Sequence, residues 1–263
     1  NLCGVPRMLI HALTEMQFYP STRWQTPPAF HAAIKSAPTS FRQGAILQFE
    51  DADHLPLGKM SHAALKQAVA VALKDGFHNP WPYTWVQVSK TDPETATVWT
   101  LVGTKLIAVL HTPVNTGVLH STPDGSWPVY ERVPVTTMKG AFPAPLTPYQ
   151  QRLYRAAKSA GFALKGTNID HWHGALVQWR PYDDPGIKWV SYFDRGRALH
   201  YFPRAGYGWP QSAGCVEMPD KAAHQIFSTI HYGSVVTVSK GLRQAEQVPG
   251  SNLSKKVHKK WPA

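Results

Sequence analysis

The sequence predicts a mainly β domain that carries a helix-bearing insertion and follows a small helical domain. Three observations lead there. From Trp85 onward apolar residues recur with a period of two. Before Trp85 the punctuation is helical, with Thr26-Pro27-Pro28 at one end and Gly76 at the other. Twenty-three prolines interrupt the chain too often for a helix bundle and suit turns and strand edges.

Residues up to Arg23 show no periodicity beyond an apolar patch at Met8, Leu9 and Ile10. Thr26 supplies a hydroxyl ahead of Pro27 and Pro28, opening a helix over Ala29 to Ala37, and a second helix runs from about Gly44 to Asp53. The third has the clearest signature: Ser61 to cap it, Gly76 to end it, and Leu65, Ala68, Val69, Ala72 and Leu73 along one face. Strands follow at Trp85–Val88, Thr97–Trp99 and Leu106–Leu110, with turns at Asp92-Pro93 and Gly103. Trp127 to Val135 and Lys188 to Phe193 read as further strands. Between them Ala141 to Arg180 is Pro-rich, then helical over Tyr149 to Ala160, and ends in an aromatic and histidine cluster, which reads as an insertion. Pro219-Asp220 opens a last helix to about Ile230, and Gly233 releases the chain into a strand at Val235 to Val238. The predicted division is residues 1–23, a helical domain over 24–80, a β domain over 83–240 with its insertion at about 141–181, and a basic tail over 241–263.

Hydrophobic residues make up 43% of the chain and charged ones 16%, which provides for a packed core and argues against disorder. The formal charge of +11 concentrates polyanions, for which nucleic acid, anionic lipid and acidic wall polymers all qualify, and sign alone does not choose among them. No nucleic-acid-binding motif accompanies that charge, and no apolar run is long enough to span a bilayer. Lys255, Lys256, Lys259 and Lys260 form a solvated basic end. The chain opens on Asn1 rather than Met, as expected of a processed or a truncated form, and the sequence itself does not show an export signal.

Cys3 and Cys215 are the only cysteines, too few for a disulfide framework or a cysteine zinc site. Cys215 sits in Ser212-Ala213-Gly214-Cys215-Val216, ahead of the last helix. Gly214 permits a close backbone approach, and successive amides at Ala213, Gly214 and Cys215 can face a developing oxyanion. A thiol is protonated at neutral pH and needs a base. His200, which closes an apolar strand and enters a Gly/Pro-rich loop, is placed to be that base. The competing reading is a buried cysteine acting as a small core hydrophobe.

This string resembles the active-site motif of L,D-transpeptidases, a His followed at a loop's distance by Ser/Thr-X-Gly-Cys-hydrophobic; here fourteen residues separate His200 from Cys215. Val86-Gln-Val-Ser-Lys90, His111-Thr-Pro-Val-Asn-Thr-Gly117, Thr122-Pro-Asp-Gly125 with Trp127-Pro-Val-Tyr130, and Asp184 to Phe193 resemble other family segments, in the expected order. The resemblance implies a β-sandwich-like catalytic fold, with Cys215 as nucleophile, His200 as base, Ser212 as the motif hydroxyl and the amides around Gly214 as oxyanion hole. It also implies peptidoglycan stem peptides as substrate, an extracytoplasmic location, no cofactor, and acylation by carbapenems. Three departures stand out: Ala213 where the family often has His, Glu217 where it often has Arg or Asn, and Tyr201 where Gly is frequent. The 24–80 helices are similar to a degenerate peptidoglycan-binding domain through Ala45 to Glu50 and Leu55.

Arg204, in the loop between base and nucleophile, is a candidate for a substrate carboxylate, and Tyr192, Tyr201 and Trp209 for lining the groove, with core packing as the alternative for the aromatics. His171 and His173 supply at most two ligands, so a solvated or lid-lining role is expected rather than a metal. Two other functions stay open: a carboxypeptidase on the same scaffold, with water as acceptor, and a non-catalytic wall-binding protein.

Overall fold

A computed structural model describes residues 7–162 and 166–240. Cys3 and the Lys255–Lys260 run lie outside the described residues. The elements, in order, are α1 (Arg7–Glu15), α2 (Pro28–Ser36), α3 (Pro38–Ala52), α4 (His62–Lys74), β1 (Thr84–Ser89), β2 (Thr95–Val102), β3 (Lys105–Pro113), a 3₁₀ turn at Val118–His120, β4 (Gly125–Pro128), β5 (Glu131–Pro145), α5 (Pro148–Ser159), β6 (Ile169–Trp172), β7 (Ala175–Asp194), β8 (Arg197–Tyr201), β9 (Val216–Met218), α6 (Asp220–Thr229) and β10 (Val235–Ser239).

Two sheets form. One has the order β3-β2-β1-β10-β4 and the other β5-β7-β8-β9, with β6 added along β7. Their facing sides enclose the main core: Val86, Val88, Val98, Val236 and Val238 from the first sheet, Phe193, Leu199, Val216 and Met218 from the second, and Ile226 and Ile230 at α6. Strand alternation sends Trp85 and Gln87 to the opposite side of β1. There Trp85, Trp99, Leu101 and Leu106 meet Phe30 and Ala33 of α2 and Phe41 of α3. Both indoles on that side are paired: that of Trp85 donates to Thr237 Oγ1 (2.9 Å) and that of Trp99 to Gln87 Oε1 (3.0 Å). Both faces of the first sheet are therefore covered, which is why every residue of β1 is buried.

The N-terminal helices pack in two ways. Leu9, Ala12 and Leu13 of α1, with Met16 and Phe18 just after it, join Ala45, Phe49, Leu65 and Val69 in one cluster, while α2 and the start of α3 lie on the sheet. The α3 backbone touches the sheet directly: a Cβ on Gly44 would stand 2.4 Å from the Gly233 carbonyl oxygen, and one on Gly233 2.0 Å from that of Gly44. Ser61 caps α4 by accepting from the Ala64 amide at 3.2 Å. Helix α1 carries only three buried positions in nine residues, too short a run for its period to be read in the sequence.

The expected single strand from Trp127 to Val135 is two strands in different sheets. The Val129 amide donates to Ser234 O and the next amide, Tyr130, to Tyr192 O, so the chain crosses between sheets at that step. Strands β5 and β7 pair from Glu131↔Tyr192 to Pro145↔Val177, so one long antiparallel arm leaves the sheet and carries α5 and β6 at its far end. No helix among the described residues is long and apolar enough to cross a membrane.

Candidate functional site

Strands β8 and β9 run parallel, with Leu199 opposite Val216 and His200 opposite Glu217. Leu199 and Val216 point into the core between the sheets, so alternation turns Ala198, His200, Cys215 and Glu217 to the other side of this sheet. The β5–β7 arm overhangs that side. Together they bound a cavity of about 240 Å³ lined by His200, Arg204, Ser212, Ala213, Cys215 and Glu217 from the 200–217 stretch, and by Met138, Phe142, Tyr182 and Asp184 from the arm.

Cys215 is half-buried, packed near Ile187, Val190 and Ala198, with its sulfur 4.0 Å from the Gly196 carbonyl. Burial pushes its thiol up to about 11; Glu217 adds to this, and the Ala198 amide and the Arg197 charge oppose it. His200 is 3% exposed and its Nδ1 lies 2.9 Å from Tyr201 O. A carbonyl only accepts, so Nδ1 carries the hydrogen and Nε2 keeps its lone pair. Burial lowers the imidazole's pKa below the usual histidine value, against the Tyr201 hydrogen bond and Glu217. The resting cavity thus holds a neutral thiol and a neutral imidazole. Alkylation of Cys215 by iodoacetamide is therefore expected to be slow at pH 7 and to climb about tenfold per pH unit toward pH 11. A rate that levels off by pH 8 would mean a preformed thiolate and would contradict this electrostatic picture.

Ser212 closes the Cys215 turn on itself. Its hydroxyl donates to Cys215 O (2.6 Å) and accepts from the Gly214 amide (3.0 Å). The Gly214 amide is therefore occupied, and the Ala213 and Cys215 amides are the ones left to face an oxyanion. Gly214 has φ +148, and a Cβ there would lie 3.1 Å from Arg197 Nε and 3.2 Å from Ser121 O. Thr122 ties the turn from behind, donating to Gly214 O (2.8 Å) while accepting from the Gly117 amide (2.7 Å). Deeper still, the buried Glu94 carboxylate takes both the amide and the hydroxyl of Thr116 at 2.7 Å, and Thr116 O accepts from the Gln211 and Ser212 amides. This chain of hydrogen bonds holds the loop ahead of Cys215.

Arg204 does line the cavity, but its charge is already matched. Nε and one terminal nitrogen reach the two carboxylate oxygens of Glu217, each at 2.8 Å, and the guanidinium stacks 4.5 Å over Phe202. Tyr192 packs at the flank of Cys215 and stacks on Tyr130. Tyr201, one residue on from His200, points to the core between the sheets. Trp209 lies against Gly206. Neither Tyr201 nor Trp209 is among the cavity's lining residues. His173 Nδ1 meets Leu119 O at 2.7 Å, bringing the β6–β7 turn of the arm down onto the 3₁₀ turn.

Sequence reasoning misses Met138, Phe142, Tyr182 and Asp184, which reach the site only because the arm folds over it. Glu217 stands out in the sequence as a departure, and the opposite charge thirteen residues earlier, at Arg204, is the available hint of its partner. Of the charged side chains lining the cavity, Arg204 and Glu217 cancel. Asp184 has no ion-pair partner among the described residues.

A family model described as the YkuD L,D-transpeptidase catalytic domain matches residues 83–238. Among solved structures, an L,D-transpeptidase from Mycobacterium smegmatis is 15% identical over 59% of this chain and 59% of that one, with a TM-score of 0.38. L,D-transpeptidase 3 from Mycobacterium tuberculosis is 15% identical over 60% and 61%, with a TM-score of 0.39. The catalytic domain of the E. faecium enzyme is 18% identical over 61% of this chain and 99% of that domain, with a TM-score of 0.38. The chain thus spans about 59% of the length of the M. smegmatis structure. No curated protein matches its sequence.

Proposed function

The chain belongs to the YkuD family of L,D-transpeptidase catalytic domains, and on that premise we propose that it is a cysteine acyltransferase acting on peptidoglycan stem peptides outside the cytoplasm. His200 Nε2 takes the proton of Cys215 as the sulfur attacks the carbonyl that joins the third stem residue to its terminal D-residue. The new S–C bond forms a tetrahedral oxyanion, received by the Ala213 and Cys215 amides. On its collapse the C–N bond breaks and His200 hands the proton to the departing amine, leaving a thioester. An amine of a second stem then attacks the thioester, its proton returns through His200 to sulfur, and a cross-link results.

The observation that carries this reading is the common opening of His200 and Cys215 into one cavity, on the face of the sheet away from the core. The neutral state of both groups supports general-base attack rather than a standing ion pair. An amine acceptor is supported by the cavity's charge balance, since Asp184 leaves it net negative within a chain of net charge +11. Incubation with a disaccharide-tetrapeptide followed by mass spectrometry tests the outcome. A cross-linked dimer is expected as main product. Trimmed disaccharide-tripeptide with no dimer would instead make the chain a carboxypeptidase, with water as acceptor.

A further inference from the structure

Helix α5, at the far end of the β5–β7 arm, turns its apolar side outward. It is well formed: Thr147 caps it, accepting from the Gln150 amide, and the Gln150 side chain reaches back to the Thr147 amide. Yet none of its twelve residues is buried. Its half-buried side chains, Gln151, Tyr154 and Ala157, mark the face turned toward the arm, and Gln151 donates to Leu146 O at 2.9 Å. At 100° per residue, Tyr149, Leu153, Ala156 and Ala160 form a stripe on the side turned away. Tyr149 is 62% exposed, Leu153 52%, and Phe162, just past the helix end, 70%. A surface helix normally buries such a stripe and shows its polar face to water.

The charge around the stripe is one-sided. Arg152, Arg155 and Lys158 are on the helix, all three exposed, and the sequence has no Asp or Glu from Arg132 through Ile169. We propose that α5 is a docking surface for an anionic lipid bilayer. Tyr149, Leu153 and Phe162 enter the headgroup–acyl boundary, and Arg152, which flanks the stripe, lies at the level of the phosphates with Arg155 behind it. A convex single helix with arginines along one flank of an apolar stripe matches a flat, negatively charged interface. It does not match a second copy of this chain, because two such surfaces would bring like charges together. The inner residues of the same arm, Met138, Phe142 and Tyr182, line the Cys215 cavity, so docking at α5 would hold that cavity close to the membrane surface. The inference does not rest on the acyl-transfer reading.

Co-sedimentation of the full chain with vesicles tests it, using phosphatidylglycerol mixed equally with phosphatidylcholine against phosphatidylcholine alone. The wild type should sediment with the anionic vesicles and remain in solution with the neutral ones. Leu153→Gln with Phe162→Gln should weaken binding at least about tenfold, and Arg152→Glu with Arg155→Glu at least about thirtyfold. All these positions are exposed, and every variant keeps the basic end of the chain, so the differences report on the helix. The proposal is overturned if the wild type stays in solution with anionic vesicles, or if the apolar double variant binds them as the wild type does. It is equally overturned if soluble polyphosphate binds wild type and apolar variant alike and competes fully with the vesicles. A wild-type dimer in solution that the apolar variant abolishes would assign the stripe to self-association and also overturn it.

Discussion

Cys215→Ser is expected to abolish acyl transfer, with turnover falling by at least about 10⁴-fold, while the fold is kept. The sulfur is the only atom changed, it is half-buried, and the hydrogen bonds that shape its turn come from Ser212, Thr122 and the backbone. Intact-mass measurement after incubation with a carbapenem is the direct check: the wild type should gain one covalent adduct and the Cys215→Ser protein none. An adduct on both proteins, or cross-linking activity that survives the substitution, would remove Cys215 from the chemistry and leave a wall-binding role as the better account.

His200→Asn should slow acylation by about 10²–10⁴-fold at neutral pH. Asn can still donate to Tyr201 O, the bond that Nδ1 makes at 2.9 Å, so the substitution removes the proton acceptor and leaves that contact available. The pH profile separates a base from a packing residue. In the wild type, burial depresses the imidazole pKa, so the neutral base is already present at pH 6.5 and is lost only below it. The variant has no such base and must wait for the thiol to ionise by itself. Its rate should therefore rise about tenfold per pH unit and approach the wild type's as the pH nears about 11. A deficit that is constant across pH would show that His200 only supports the fold.

The Arg204–Glu217 pair changes how the site must be read. In sequence each residue stands singly, Arg204 as a clamp for a carboxylate and Glu217 as an anion in place of a cation or amide. In the structure each satisfies the other through two bonds of 2.8 Å. That leaves Arg204 poorly placed to hold a substrate carboxylate. It also cancels opposing influences on His200, since Glu217 raises its pKa and Arg204 lowers it, so that desolvation dominates.

Much of the strand content was legible because alternation is a local property. Val86, Val88, Val236 and Val238 follow a period of two whatever they pack against, and Ser61 caps α4 through a bond that spans three residues. The strand break between Val129 and Tyr130 was not legible, because those adjacent residues answer to partners at Ser234 and Tyr192, far away in the chain. Helices α2 and α3 showed their helical character but not their docking, which depends on Phe30 and Phe41 meeting Trp85.

By itself the sequence determined the chemical inventory: one cysteine in a tight glycine turn and a histidine that closes an upstream strand, with fourteen residues between them. Only the tertiary structure decided that Val216–Met218 is a strand paired in parallel with β8 so that His200 and Cys215 share a face, that the β5–β7 arm roofs them, and that Arg204 is taken up by Glu217. The reason is physical. Periodicity and turn chemistry act over a few neighbouring residues, whereas register, burial and ion pairing are set by which distant segments exclude water together.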